Sequence, residues 1–268
     1  MNYLDNNELK KNLLRILTSF SEFCELHQLD YSLSGGTLLG AIRHQGFIPW
    51  DDDIDVCMPR ASYERLIELR DELAEATVFQ IEGYYGHLPQ ESPYIKMVDP
   101  HIEVKIGESN LTGNLWIDIM PVDGLPSDCR AVARVYDQIE KSRNILCNCT
   151  VAPRPPFQTI KNIIQAVMKG IGLENRVLRK ITQLAQQESY EDCDYVGAVS
   201  WGLYGEGERI PKHEFEKKEQ VLFEGRAFNA MSCWDFYLTG LYGDYMSLPP
   251  IEKRKDHGVQ AYYTDRDQ

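Results

Sequence analysis

No stretch of this 268-residue chain reaches 18 consecutive apolar residues, so no membrane-spanning helix is expected. Basic residues are few beside acidic ones: 28 Lys and Arg stand against 41 Asp and Glu, a net charge of -13. A surface of that sign repels a nucleic-acid backbone and argues against nucleic acid as a partner. It still admits a nucleotide, because a bound divalent cation reverses the local field. The opening residues MNYLDNNELKK lack a basic region followed by an apolar run, so no secretory signal is expected. The seven cysteines form an odd set at irregular spacing, for which free thiols are the expectation. Cys147 and Cys149 lie close together but lack partners at zinc-ligand spacing. Asn148-Cys149-Thr150 fits the glycosylation pattern, yet without an export signal it has no route to a glycan.

What is present is a globular composition, 43% hydrophobic and 26% charged, sufficient for a sizeable core. Leu9, Leu13, Ile16, Leu17, Phe20, Phe23 and Cys24 recur at three- and four-residue steps and predict an amphipathic helix over 6–28. A short strand near Asp30–Leu33 leads to Ser34-Gly35-Gly36, and Thr37–His44 reads as a short helix ended by Gly46. Strands are expected over Phe47–Met58, Thr77–Ile81, Tyr94–Val98, Ile102–Ile106 and Leu115–Met120, with a helix over Ser62–Glu75 and a turn over Pro121–Pro126. This irregular mixture suggests a compact α/β or α+β catalytic core over 1–126. From 127 to 268 the pattern turns largely helical (Arg130–Leu146, Phe157–Gly170, Glu174–Gln187) and then aromatic-rich, ending in a polar, exposed tail over Glu252–Gln268. The apolar segment Phe157–Gly172, with two lysines, suits a membrane surface as well as a packed helix.

The stretch Gly35–Arg60, GGTLLGAIRHQGFIPWDDDIDVCMPR, carries the chemistry. On a strand, Asp53 and Asp55 flank Ile54 and project from one face. Paired carboxylates repel unless a cation lies between them, and a hard divalent ion such as Mg²⁺ fits best where phosphates are handled. The glycine pair opens a short helix whose backbone N–H groups can meet phosphate oxygens. Asp118 sits alone between Ile117 and Ile119, a costly position unless paired, exposed or liganded. If the two strands are neighbours, Asp53, Asp55 and Asp118 converge as two-metal phosphoryl or nucleotidyl transfer requires. One of Asp51 and Asp52 is expected to support this group from behind.

The run Gly36–Asp55 closely resembles the signature of the LicD family of phosphotransferases. The likeness continues through Met58-Pro-Arg60, Tyr63-Glu64, Trp116–Gly124, Phe223-Glu-Gly225 and Tyr242–Pro250, then Lys253-Arg254 and His257. The resemblance implies a nucleotidyltransferase-like core with a small mixed sheet flanked by helices. It implies transfer of a substituted phosphate, phosphocholine in bacterial members, from a cytidine diphosphate donor such as CDP-choline to a glycan or lipid-linked glycan hydroxyl. Relatives in animals transfer ribitol phosphate, and glycerol or ribitol phosphate transfer is the rival expectation here. Adenylyl or other nucleotidyl transfer and a non-catalytic nucleotide-binding protein are further rivals. By resemblance Asp53, Asp55 and Asp118 hold Mg²⁺, or Mn²⁺ in its place, and Gly35, Gly36 and Thr37 approach the donor phosphates.

The implied chemistry adds candidates around that group. Arg43, Lys96 and Lys105 are the expected cations for the departing CMP, with His44 and His257 as polar contacts. Choline would need aromatic faces, for which Trp50 and Trp234 lead among Trp116, Trp201, Tyr242 and Tyr245, with Asp235 or Asp244 as countercharge. A cytidine donor and the lack of an export signal place the protein in the cytoplasm. A lipid-linked acceptor would bring it to the inner membrane face.

Overall fold

The computed structural model describes residues 3–83, 92–106, 112–150, 158–254, 256 and 258–264. The chain opens with α1 (Asn6–Leu26), β1 (Ser32–Leu33), α2 (Gly35–His44), β2 (Asp55–Pro59), α3 (Arg60–Glu68) and α4 (Arg70–Ala76). It continues through β3 (Gln80–Gly83), β4 (Ile95–Ile106), β5 (Thr112–Leu125), α5 (Cys129–Thr150), α6 (Gln158–Gly170) and α7 (Leu173–Ala185). Then come β6 (Tyr195–Gly197), a 3₁₀ turn (Gly205–Glu208), β7 (Ile210–Pro211), α8 (Lys212–Phe215), β8 (Lys218–Phe223), β9 (Arg226–Met231), α9 (Trp234–Tyr242) and β10 (Val259–Tyr263).

Helix α1 starts where Asp5 and Glu8 cap each other reciprocally, Glu8 N–H donating to Asp5 at 2.8 Å and Asp5 N–H to Glu8 at 3.0 Å. Its predicted apolar stripe, Leu9 to Cys24, is buried throughout. It packs on a mixed sheet that, among the described residues, joins eight strands in the path β1-β2-β5-β4-β10 with β3, β6 and β7 attached. Strands β2 and β5 run parallel, with Asp55 opposite Asp118, and β4 runs antiparallel to β5, with Lys96 opposite Asp118. Alternation along β5 buries Leu115, Ile117 and Ile119 to 1% exposure or less and turns Trp116, Asp118 and Met120 to the other face. The fold is thus a mixed α/β core flanked by helices. A second cluster of buried residues, including Val132, Tyr136, Ile139, Leu178 and Ile181, joins α5 to α7.

Several expected boundaries move. Strand β2 starts only at Asp55, and Phe47–Ile54 is a loop. Pro49 has no N–H for a ladder, and Lys10 Nζ donates to the carbonyls of Ile48 and Pro49 at 3.2 Å each, so this stretch is held by a helix instead of a strand. The expected 62–75 helix divides at Leu69 into α3 and α4. The two strands expected over 94–106 are one strand with a bulge between Asp99 and Glu103, beside Pro100. The expected turn over 121–126 is strand to Leu125, because pairing with β2 and β6 outweighs the local Pro and Gly preference. The expected polar tail supplies β10, which pairs with β4 and buries Ala261.

Arg60 and Asp123 form a bidentate ion pair at 2.7 Å for both bonds, with the two side chains 15% and 2% exposed. It ties the start of α3 to the end of β5. Removing one partner leaves a buried uncompensated charge. Arg60→Met is therefore expected to lower the unfolding free energy by about 3–5 kcal/mol. Arg65→Met, which breaks only an exposed pair with Glu68, should cost less than about 0.5 kcal/mol. Urea denaturation of both variants checks this, and equal losses would contradict it.

Candidate active site

Strand β2 and the loop before it, the start of α2, and strands β4 and β5 open together onto a cavity of about 630 Å³. Asp51, Asp53, Asp55 and Asp118 line it, together with Gly35, Gly36 and Lys96. Ile54 and Val56 are fully buried while Asp53 and Asp55 are half-buried, so the alternation persists through the loop residue Asp53. Asp118 N–H donates to the Ile54 carbonyl at 2.8 Å, which extends the β2–β5 pairing by one step. Across three adjacent strands this gives a row Asp55, Asp118, Lys96. Lys96 Nζ stands 3.5 Å from Asp118 Oδ1 and 4.0 Å from the centre of the Trp116 ring. That separation is an ion pair but long for a hydrogen bond, and Asp118 Oδ1 is buried with no donor. The Trp116 indole N–H is likewise buried without an acceptor, beside the same cavity.

The glycine pair is a steric requirement. Gly35 has φ +49°, and a Cβ there would lie 2.9 Å from Asp55 Oδ2; a Cβ on Gly36 would lie 2.8 Å from Asp51 Oδ2. Ser34, at the N-cap of α2, makes no capping bond, its hydroxyl pairing with that of Tyr237 at 2.9 Å, and the Gly35 N–H donates to the same Tyr237 hydroxyl at 3.3 Å. The helix start and its positive dipole end thus face the carboxylate loop. Thr37 is 3% exposed and outside the cavity; its hydroxyl accepts from Asp55 N–H at 2.8 Å and holds β2 against α2. Asp52 is buried and accepts from Val259 N–H at 3.1 Å, anchoring β10.

Other expected residues stand elsewhere. Arg43 donates to the Tyr245 carbonyl at 2.7 Å and to His44 Nε2 at 2.9 Å, so it ties the end of α2 to the segment after α9. Burial, then the Arg43 charge, pushes the His44 imidazole down, in keeping with its acceptor role. Neither residue lines the cavity, nor do Lys105 and Trp234, whose indole donates to Glu219 at 3.2 Å. Asp235 accepts from the Tyr245 hydroxyl and Asp244 from Ser247, and both are outside the cavity too. His257 lies outside the described residues. Trp50, Trp116, Trp201 and Tyr242 do line the cavity, as does Lys253. Trp50 is stacked by Arg254, 4.9 Å from its ring centre.

Among the described residues no three His, Cys, Asp or Glu side chains stand close enough to hold a metal ion by themselves. Asp53 and Asp55 nevertheless suit Mg²⁺, which keeps water and takes one or two carboxylates plus substrate phosphate oxygens. The orphaned Asp118 Oδ1 and the close approach of Asp51 and Asp55 to the α2 start fit a site completed by a ligand.

Sequence reading missed Glu208. It ends the 3₁₀ turn, lines the cavity and is 5% exposed. Burial pushes its carboxyl up to about 7, against the opposing pull of the Tyr204 backbone N–H and of Arg143. Below pH 4.5 the group is protonated whether the chain is folded or not. Between 4.5 and about 7 the unfolded chain gives up the proton and the folded chain keeps it, so stability falls as pH rises. Above that range the loss is complete, at about 3 kcal/mol. Glu208→Gln should remove this fall and unfold at higher urea than wild type at pH 8 but not at pH 4. Parallel pH profiles for the two proteins would refute the assignment.

The LicD/FKTN/FKRP nucleotidyltransferase domain model matches residues 28–123. The lipopolysaccharide cholinephosphotransferase LicD of Haemophilus influenzae is 32% identical over 264 residues, covering 93% of this chain and 94% of that protein. Uncharacterized proteins of Rickettsia prowazekii and Rickettsia typhi are each 42% identical over 45 residues, 17% of this chain.

Proposed function

From the premise that this chain belongs to the LicD family, we propose that it moves phosphocholine from CDP-choline to a hydroxyl of a cell-surface glycan precursor, releasing CMP. The row Asp55, Asp118, Lys96, facing the start of α2 across one cavity, is the observation that carries this reading. The end-to-end likeness to a lipopolysaccharide cholinephosphotransferase supports the donor.

Asp53 and Asp55 would hold Mg²⁺ or Mn²⁺ together with the donor diphosphate. The bound ion supplies neutralisation of the phosphate charge and raises the electrophilicity of phosphorus. The first turn of α2, after Gly35, offers backbone N–H groups to phosphate oxygens. Asp118 takes the proton of the acceptor hydroxyl as that oxygen bonds to the choline-bearing phosphorus. The bond to the bridging oxygen breaks, and CMP leaves with its electron pair. Lys96 and Lys253, both on the cavity wall, supply positive charge to the departing phosphate. Trp50, Trp116, Trp201 and Tyr242 give the cavity aromatic walls that suit choline better than a polyol.

A cytidine donor puts the reaction in the cytoplasm, at the membrane face where a lipid-linked acceptor is presented. Among the described residues no helix is long and apolar enough to cross a membrane. Helix α6 and the residue after it instead leave Ile163, Ile164, Val167 and Ile171 more than half exposed at helical spacing. Residues 158–185 carry five Lys or Arg and one Glu in a chain of net charge -13. Both features suit peripheral contact with an anionic lipid surface.

Acceptor-dependent CMP release should occur with CDP-choline and Mg²⁺, vanish with a chelator, and fall at least ~100-fold in Asp55→Asn and Asp118→Asn. Faster release from CDP-glycerol or CDP-ribitol would move the assignment to the polyol phosphates. In flotation with anionic vesicles, wild type should rise with the lipid and an Ile164→Glu, Val167→Glu double variant should not. Wild type remaining at the bottom would remove the membrane contact.

A further inference from the structure

Glu208 is placed where the reaction chemistry itself has no use for it. It lines the cavity that holds Asp55 and Asp118, yet it belongs to the 3₁₀ turn between β6 and β7, not to the carboxylate strands. Tyr204, four residues earlier, feels the charges of both Glu208 and Asp55, and Tyr242 feels that of Asp55. The two phenol rings meet edge to face at 5.2 Å. Both residues line the same cavity as Glu208 and the carboxylate row. Among the described residues no Lys, Arg or His is ion-paired with Glu208. Arg143, whose charge reaches it, is engaged by the Trp201 carbonyl and lies 5.6 Å from the Trp201 ring centre.

A buried carboxyl without a cationic partner is costly to ionise and stays so until a cation arrives. Phenol and indole faces attract the same kind of ligand, an organic cation with no hydrogen-bond donors of its own. A neutral polyol gains nothing from either feature. We propose that Glu208, with the rings of Tyr204 and Tyr242, receives the cationic head of the donor's alcohol and sets the preference of the site for a quaternary ammonium over a neutral polyol. The proposal rests on the reading of this cavity as the site of a CDP-alcohol phosphotransferase, and it deepens that reading by assigning the alcohol end to named residues.

A consequence separates this role from wall-building. Glu208 holds its proton up to about 7 in the empty cavity because it is buried. A quaternary ammonium seated beside it favours the carboxylate, so binding near neutral pH expels a proton. The titratable and charged groups around Glu208 are Arg143 and Tyr136 from α5, Tyr237 from α9, Cys57 from β2 and Tyr204 from its own turn. Burial holds the tyrosine and cysteine groups above their ordinary values, so they stay protonated between pH 6 and 7.5. Glu208 is the member of this set that changes charge in that range.

The test is calorimetric binding of CDP-choline, CDP-glycerol and CDP to the full-length protein with Mg²⁺ and no acceptor, at several pH values and in buffers of different ionisation enthalpy. Wild type is expected to bind CDP-choline at least tenfold tighter than CDP-glycerol and to release a proton on doing so at pH 6.5. Glu208→Gln should weaken CDP-choline at least tenfold, leave CDP and CDP-glycerol within twofold, and abolish proton release. Glu208→Asp, which keeps the charge, should restore part of the preference. Undiminished preference in Glu208→Gln, or equal weakening of all three ligands, overturns the proposal. A wild type that binds CDP-glycerol best also overturns it while leaving the CDP-alcohol reading intact. A wild type that binds none of the three removes that reading and the proposal together.

Discussion

Asp55 and Asp118 face each other on adjacent parallel strands, and much of the molecule exists to keep two like charges at that separation. Direct opposition of carboxylates on one sheet face is unfavourable by itself. Lys96, next in the row on β4, places an ammonium beside Asp118, and the start of α2 brings a positive helix end towards Asp55. Thr37 fastens Asp55 by its backbone N–H. Arg60 and Asp123 lock the far end of the same strand pair. Backbone bonds and a buried ion pair thus hold the geometry of the strand pair.

The loop bearing Asp51, Asp52 and Asp53 has no sheet partner and is held from three directions. Lys10 takes two of its carbonyls from α1. The tip of the β8–β9 hairpin reaches it from the other side, where Glu224 accepts from Phe47 N–H at 3.0 Å and Phe223 packs on Phe47 with ring centres 4.8 Å apart. Asp52 binds the backbone at the start of β10. These contacts give a structural role to Phe223-Glu-Gly225, a segment distant in sequence from the acidic run. They also explain Arg43, which bonds a carbonyl beyond α9 and so braces the helix that faces the acids.

Stability and function pull apart at Glu208. A buried carboxyl with no ion pair weakens the fold above neutral pH, whereas an amide in its place would not. The orphaned Trp116 N–H and Asp118 Oδ1 belong to the same pattern. Buried polar groups are ordinarily satisfied within the chain, and these two lie on the wall of one cavity, where a ligand can complete them.

Local regularities were legible in the sequence because they depend on neighbours along the chain. The α1 stripe, the α2 helix, the DxD spacing and the isolation of Asp118 among isoleucines all follow from periodicity and from the cost of burying charge. Alternation put Asp53 and Asp55 on one side even though Asp53 precedes the strand. Pairing between distant segments was not legible. Nothing in the polar residues 252–268 announces that Val259–Tyr263 pairs with β4, nor does Pro121–Leu125 show by itself that neighbours will keep it extended. Arg43, His44, Lys105 and Trp234 have the right chemistry for a phosphate or choline site, but a side chain's role is decided by what folds against it. Glu208 lies in a Gly-Glu repeat that reads as solvated turn, and only the packing of α5 and α9 buries it. The sequence by itself determined which residues are able to do the chemistry, since ionisation and periodicity are local. Tertiary structure decided which of them share a cavity, since burial and register come from contacts between segments far apart in the chain.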